Sequence, residues 1–367
     1  MPLQVPVIDP FSRETQPSAC HGVPLGGIGA CSIGRGFRGE FNRWQFAAGQ
    51  CEDAPVDADQ FSVFITRQAE SSVDEPRKFS SVLYPGVPKG VRRKASGLGI
   101  DAWGWNMDGS RNTYYALFPR AWTVYQEPDP QMTISCRQVS PFIPNNYQES
   151  SLPSSVFAFT LANTGTTAAD VSLVFSLANS VGGDSATTGG HLNTAFEMDR
   201  GIKGVKLQHR SSKVGGPVTL AIAARGGSGT RESHSPAASA PTHSPVTAHS
   251  TNGTADSAEG TADSSTDGVR VSVCPHFVLS GPCKGLSAAD MWQHLEKTGT
   301  LPPHHESALA SHPSFPGTAI GAAVAASVSV PPGATRHVDF TLCWDVPVAR
   351  FNPDSHYLRC PLLGDGT

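Results

Sequence analysis

Runs of alternating apolar and polar residues recur along most of this chain, each bounded by turn-forming residues. Residues 61–66 (FSVFIT) open the series, and 121–126, 131–139, 156–162, 169–177, 205–209, 218–225, 269–274, 320–330 and 335–344 continue it. Val, Thr and Phe recur within them, as a pleated, half-buried backbone favours. A period of two turns one face of each run toward a core and the other toward solvent. Asn163-Thr164-Gly165 and Pro331-Pro332-Gly333 provide turns between runs. Many short strands joined by turns predict a mainly β chain, an antiparallel β-sandwich. The 37 glycines and 30 prolines, against only 16% charged residues, suit such a turn-rich fold. One short helix is predicted from 287 to 298. Ser287 caps it with Asp290 three residues on, Met291, Trp292 and Leu295 form its apolar face, and Gly299 follows its C-terminus.

Residues 226–268 break this pattern. They are Ser, Thr, Ala, Gly, Pro and His with almost no large apolar side chains, so they bury too little surface to offset their ordering entropy. This stretch is expected to be a disordered insertion between two strands, and its Asn252-Gly253-Thr254 sequon is expected to be idle. The net charge of −4 provides no basic field for nucleic acid. Residues 1–21 show neither a basic nor an apolar leader region, so they are expected to be an N-terminal tail. The longest apolar candidate, 319–330, is too short and too rich in Ala and Ser to span a bilayer. Eight scattered cysteines without a CxxC pair point to reduced thiols in a cytoplasmic protein. His304-His305 stands without Cys or carboxylate at ligand spacing, and His234, His243 and His249 lie in the insertion. No metal and no cofactor are expected.

The densest motif is 22–45, GVPLGGIGACSIGRGFRGEFNRWQ. Its glycines permit close backbone approach, and Arg35, Arg38, Glu40, Asn42, Arg43 and Trp44 are types that hold a site or an interface. Two phosphate-binding readings fail. Gly27-Ile28-Gly29 begins a dinucleotide fingerprint, but Ser32 replaces its third glycine and no apolar strand precedes it. Gly29 to Arg35 spaces like a P-loop, but Arg35-Gly36 replaces the Lys-Ser/Thr pair. A tight turn carrying a buried Trp44 is the plain alternative to a ligand role.

With this block come Trp103-Gly104-Trp105, then 115–125 (YALFPRAWTVY), 144–153 (PNNYQESSLP), 175–184 (FSLANSVGGD) and 342–347 (LCWDVP), in that order. Together they resemble the N-terminal region of glycoside hydrolase family 116, over residues 22–357, with 358–367 diverging. The 226–268 insertion departs from the family pattern, where this connection is shorter. The resemblance implies a non-catalytic β-sandwich attached to a C-terminal (α/α)6 solenoid that is not within these residues. That solenoid supplies the family's nucleophile, a Glu, and its acid/base, an Asp. It implies retaining hydrolysis of a β-glucosyl bond, with glucosylceramide as the lipid substrate, at the cytosolic face of membranes through peripheral association.

Glycoside hydrolysis needs two carboxyl groups across the scissile bond. Glu40, Glu52, Asp101, Asp108, Glu149, Asp184 and Asp345 lie in or near the matched motifs, and each has a plain alternative. Glu40, between Arg38 and Arg43, reads as an ion-pair partner, and Asp345 as a turn cap. No residue of this chain is assigned a catalytic role. Arg38, Glu40, Arg43, Trp44, Trp103 and Trp105 are the candidates for the interface with the catalytic domain or for the rim of the sugar site. For the tryptophans, ordinary packing competes with stacking on a sugar ring. The reading from a different class is a free-standing carbohydrate-binding or regulatory module. No lipidation motif or basic amphipathic helix is visible, so membrane contact is expected to come through the catalytic domain or a partner.

Overall fold

Apolar side chains at every second position need a facing surface, and two antiparallel sheets provide it for each other. The computed structural model describes residues 22–358 apart from 70–74, 93–98, 183–185, 227–267, 283–284, 304–311 and 353–354. The first strands are β1 (Ser32–Arg35), β2 (Phe41–Gln45), β3 (Glu52–Asp53), β4 (Gln60–Arg67) and β5 (Arg77–Val82), followed by the helical turn α1 (Lys89–Arg92). Then come β6 (Thr113–Leu117), β7 (Arg120–Tyr125), β8 (Met132–Val139), the turn α2 (Tyr147–Ser150), β9 (Ser154–Asn163) and β10 (Ala169–Ala178). β11 (Leu192–Met198), β12 (Ile202–Ser211), β13 (Gly216–Arg225) and β14 (Arg270–Ser280) precede the helix α3 (Ala288–Thr298). β15 (Ala319–Val330), β16 (Thr335–Asp345), β17 (Val348–Asn352) and β18 (Ser355–Leu358) complete the described chain.

One large sheet has the order β11-β12-β13-β16-β9-β8-β7-β6, and the sheet facing it has the order β14-β15-β10-β4-β5. β1, β2 and β3 form a third sheet, and β17 pairs with β18. Among the described residues, the pairings between these strands are antiparallel, in keeping with the alternation. The inner faces interdigitate around aromatic rings. Phe61 stacks on Phe175 at 4.2 Å and meets Phe157 and Phe159 at 5.0 Å each. Burying each such ring contributes about 1.5–3 kcal/mol before the cost of ordering it.

β10 and β15 are buried on both faces. They lie inside the five-stranded sheet, and α3 covers its outer side. Alanines at 323 and 325 on that side keep the strand surface low beneath the helix. Trp292 of α3 packs on Phe64 at 4.8 Å and stacks on Trp103 at 5.8 Å. The predicted helix is present with its caps: Asp290 N donates to Ser287 Oγ at 3.0 Å, and Gly299 is left-handed at φ 69°. Residues 227–267 of the proposed insertion, like the N-terminal tail 1–21 and the segment 359–367, lie outside the described residues.

The sandwich has two ends. At one, Arg67 Nε donates to Asp129 Oδ2 at 2.7 Å, and Asn163 Nδ2 donates to Val330 O at 2.9 Å, joining the sheets. At the other lie Ala178, Val139, Ser154 and Trp344. The β1–β2 hairpin enters this second end, called the hairpin end below.

Candidate functional site

Within the block 22–45, alternation resumes once the glycines have made the turns. Ile33 pairs with Trp44 and Arg35 with Phe41 across the hairpin, with a bulge between Gly34 and Arg35. Phe41 drives into the core, 5.8 Å from Phe175 and 6.3 Å from Phe157. Trp344 of β16 donates its indole N–H to Ala30 O at 2.7 Å, and its ring lies against Phe46 at 6.0 Å. The Gly26 turn lies at φ 108°, and a Cβ there would sit 2.6 Å from the Trp344 ring. Only glycine lets the loop close over that indole.

Arg35 is carried inside with the hairpin. Its guanidinium sits 5.4 Å from the Phe157 ring centroid and 5.7 Å from those of Phe41 and Phe61, and Nη1 donates to Gln138 Oε1 at 3.4 Å. A delocalised cation among ring faces is the form of buried charge these rings favour. Gln138 Nε2 in turn donates to Val23 O at 2.8 Å, and Val23 N donates to Tyr114 Oη at 2.9 Å. The block is thereby tied to β8 and β6.

Arg38 is exposed beside Phe37, with its guanidinium 5.3 Å from the ring centroid. Glu40 is half-buried against Gly36, where a Cβ would meet its carboxyl carbon at 2.5 Å. Burial raises the Glu40 pKa, opposed by its own backbone hydrogen bond and by the charges of Arg38 and Arg35. Arg43, read as a flank of Glu40, pairs instead with Asp53 at 3.0 Å. The reason is register: β2 and β3 place Arg43 opposite Asp53. Trp44 is buried and donates Nε1 to Ala54 O at 2.9 Å.

Trp103 and Trp105 lie in the second core, on the outer side of the five-stranded sheet. Their ring nitrogens donate to Ala288 O at 2.9 Å and Ile100 O at 2.7 Å. The structure brings Arg38, Glu40, Arg43 and Trp44 together at the hairpin and places Trp103 and Trp105 in the second core, where the Trp105 ring lies 6.0 Å from that of Tyr84, a hydrogen-bond partner of Arg38.

Three of the other motif carboxylates accept from a donor close by in the fold. Glu52 accepts from Lys213 Nζ at 2.5 Å, and Asp101 accepts from Gly99 N at 3.2 Å. Asp108 accepts from Ser110 Oγ, Glu149 lies exposed in α2, and Asp345 lies exposed at the end of β16. Asp184 lies outside the described residues. Burial pushes the Cys136 and Cys274 thiols up to about 12, so neither offers a thiolate near neutral pH. Among the described residues, no group of three or more His, Cys, Asp or Glu side chains is placed to hold a metal ion. No described helix is long and apolar enough to cross a membrane.

Sequence reasoning passed over the apolar side chains exposed at the hairpin end. Ile28, Leu117, Phe118, Phe142, Ile143 and Tyr147 are all exposed, Tyr147 by 79% and Leu117 by 67%. They come from three loops that hold one another. Phe118 and Phe142 meet edge to face at 5.5 Å. Ile28 N donates to Ser150 O at 2.6 Å, and Ser150 Oγ accepts from Ile143 N at 2.7 Å. Ser140 N donates to Pro119 O at 3.1 Å. The signal was present in the sequence, since 117–118 and 142–143 place paired apolar residues beside Pro119 and Pro144, next to turns where polar ones are the norm.

Compared with known protein families, residues 22–360 match the model described as "beta-glucosidase 2, glycosyl-hydrolase family 116 N-term".

Proposed function

The chain belongs to glycosyl-hydrolase family 116, whose N-terminal region it carries, and from that membership we propose that it is the non-catalytic β-sandwich of a retaining β-glucosidase. Its work is to carry and brace the family's catalytic solenoid and to shape the rim of the sugar site. Glucosylceramide is the proposed substrate of the two domains together, cleaved to glucose and ceramide. The cytosolic face of membranes is the proposed place of action, reached by peripheral contact through the catalytic domain.

One observation carries the non-catalytic reading. The block richest in site-like residues spends them inside its own fold: Arg35 in the ring cage, Arg43 on Asp53, and Trp44 on Ala54 O. Glu40 is pressed against Gly36 below Arg38. A retaining glycosidase needs two carboxyl groups about 5–5.5 Å apart across an open cleft. The described motif carboxylates are instead engaged with local donors or spread over separate loops. Arg38, an exposed charged residue of the block, is the proposed polar contact to the catalytic domain.

The test is turnover of an aryl β-glucoside by the purified chain. No hydrolysis above background is expected. Measurable hydrolysis that Glu40→Gln abolishes would overturn the reading. A free-standing carbohydrate-binding module is the second reading, favoured by the exposed rings of Tyr115, Phe118, Phe142 and Tyr147, since aromatic faces stack on sugars. Calorimetric titration with a β-glucoside separates the two: heat of saturable binding by the isolated chain supports the module.

A further inference from the structure

Two imidazoles lie stacked in the interior, where the outer strands of the large sheet meet the facing sheet. His191, just before β11, and His209, in β12, are 0% and 5% exposed, with ring centroids 5.1 Å apart and planes tilted by 28°. Asn179, which follows β10, fixes the proton of His209. Its Nδ2 donates to Asn193 Oδ1 at 2.7 Å, Gln208 O at 3.2 Å and Leu192 O at 3.3 Å, so its Oδ1 is the atom turned to His209 Nδ1, 2.9 Å away. An amide oxygen accepts, so Nδ1 carries the hydrogen and the neutral ring keeps its lone pair on Nε2. That nitrogen is buried with no hydrogen-bond partner.

His191 is held by the loop 312–318, which leads into β15. Ser314 Oγ accepts from His191 N at 3.2 Å and bonds His191 Nδ1 at 3.1 Å. Ser314 N donates to His191 O at 2.9 Å, Gly190 N to Ser314 O at 2.7 Å, and Gly317 N to Thr187 O at 2.8 Å. Asn193 Nδ2 donates to Gly321 O at 3.1 Å. The pair therefore sits at the join of β11 and β12 in one sheet with β10 and β15 in the other.

This join has no place for a proton. A hydrogen on His209 Nε2 would meet no acceptor, and its charge would lie against a second imidazole. The titratable groups around it do not compensate. Asp59, on β4, spends Oδ1 on Ala178 N at 2.7 Å, and burial favours its neutral form. Glu52 is paired with Lys213 beside Gly182. Arg210 and His312 are exposed, β13 sets Val218 opposite His209, and β15 contributes Gly321. Burial and the neighbouring His191 accordingly hold the His209 pKa down at about 4.

We propose that the His191–His209 stack is an acid-released clasp: when it takes up a proton the pair parts, freeing 187–193 and 312–318 from the sandwich while the ring-filled core stays closed. β11 is the edge strand of its sheet, so its start can part without breaking the central ladders. The device rests on neither reading given under Proposed function. The folded ring titrates below the free one, so the closed form has its full advantage above about pH 6.5 and loses it as pH falls toward 4. Between pH 7 and pH 5 the population of the open clasp rises about twentyfold on that basis.

The experiment is hydrogen exchange on the full 367-residue chain at pH 7, 6 and 5, corrected for the intrinsic exchange rate at each pH. Protection at 187–193 and 312–318 is expected to fall about twentyfold from pH 7 to pH 5. Amides pairing β4 with β10 open only together with Asp59, whose titration runs the other way, so they are expected not to follow. His209→Asn keeps a donor for Asn179 Oδ1 and removes the titrating ring, and its two segments are expected to change less than about threefold. NMR titration of the unmodified chain decides the matter even where that variant fails to fold: His209 is expected to stay neutral for as long as the two segments stay protected. A parallel loss of protection across the whole sandwich would mean general loosening and overturn the clasp. So would a His209 ring that takes up its proton near pH 6.5 with both segments still protected, or a His209→Asn chain that keeps the twentyfold change.

Discussion

Arg67 and Asp129 are almost wholly excluded from water, their side chains 0% and 1% exposed. Arg67 reaches Asn163 Oδ1 and Thr167 O at 3.0 Å each, and Asp129 also accepts from Gln131 N at 3.0 Å. Arg67 Nη2 is buried without a hydrogen-bond partner, so the pair holds mainly through the contact of the two charges and the bonds of Nε and Nη1. Removing one member strands the other charge in the core at a cost of about 3–5 kcal/mol. Asp129→Ala is therefore expected to lower the unfolding free energy, measured by urea denaturation, by that much, while the double replacement Arg67→Met/Asp129→Leu recovers most of it. A single variant no weaker than the double would show that the pair is not held as described. Nothing in the sequence announced this pair, because its members lie 62 positions apart and neither belongs to a motif. Arg35 shows the opposite case. It stood in a motif, yet its sequence neighbours gave no sign that it, rather than Arg38, turns inward.

At the level of elements, the strands with clean alternation were legible. The runs read at 61–66, 121–126, 156–162 and 335–344 lie within β4, β9 and β16, or within one residue of β7. β1 and β2 were not, because glycines interrupt their alternation and their pairing depends on a bulge at Gly34/Arg35. β14 runs past its expected end at Cys274 to Ser280, through a register shift between Cys274 and Phe277. A bulge absorbs the Pro275 that ends a regular ladder. α3 was the most legible element, since its cap, apolar stripe and terminal glycine are all local signals. Ser287→Ala removes the acceptor for Asp290 N and is expected to cost about 0.5–2 kcal/mol in urea denaturation. Ser287→Asp, which keeps an acceptor, is expected to cost less, and an equal loss from both variants would argue against the cap.

For the whole molecule, two buried titratable groups act on stability in opposite directions. Burial, aided by His191, holds the His209 pKa down at about 4. As pH falls from about 6.5 to about 4, the unfolded chain takes up a proton at this histidine that the folded chain does not, so stability falls. Burial raises the Asp59 pKa well above that of an ordinary carboxyl. Above pH about 3.9 the unfolded carboxyl ionises while the folded one keeps its proton, so this group lowers stability as pH rises. Over the shared window the two oppose each other. Asp59→Asn keeps an acceptor for Ala178 N and removes the second effect. Its stability relative to the unmodified chain is expected to improve as pH rises above about 4, measured by urea unfolding at a series of pH values. A difference that does not change with pH would count against a raised Asp59 pKa.

The sequence by itself determined the β class, the antiparallel sense and the capped helix, because alternation, turns and caps are written within a few residues. It also carried the family match, which depends on the order of motifs and not on their placement. Tertiary structure alone decided which motif residues face inward. Trp103 and Trp105 went beneath α3, and Arg35 went among the rings, through contacts with residues such as Ala288 and Phe157 that lie far away along the chain. It alone gathered Ile28, Phe118, Phe142 and Tyr147 onto one end, because three loops distant in sequence share hydrogen bonds and a ring contact there. Local periodicity fixes which face a side chain takes within its strand. What that face meets is set by how the sheets and loops pack.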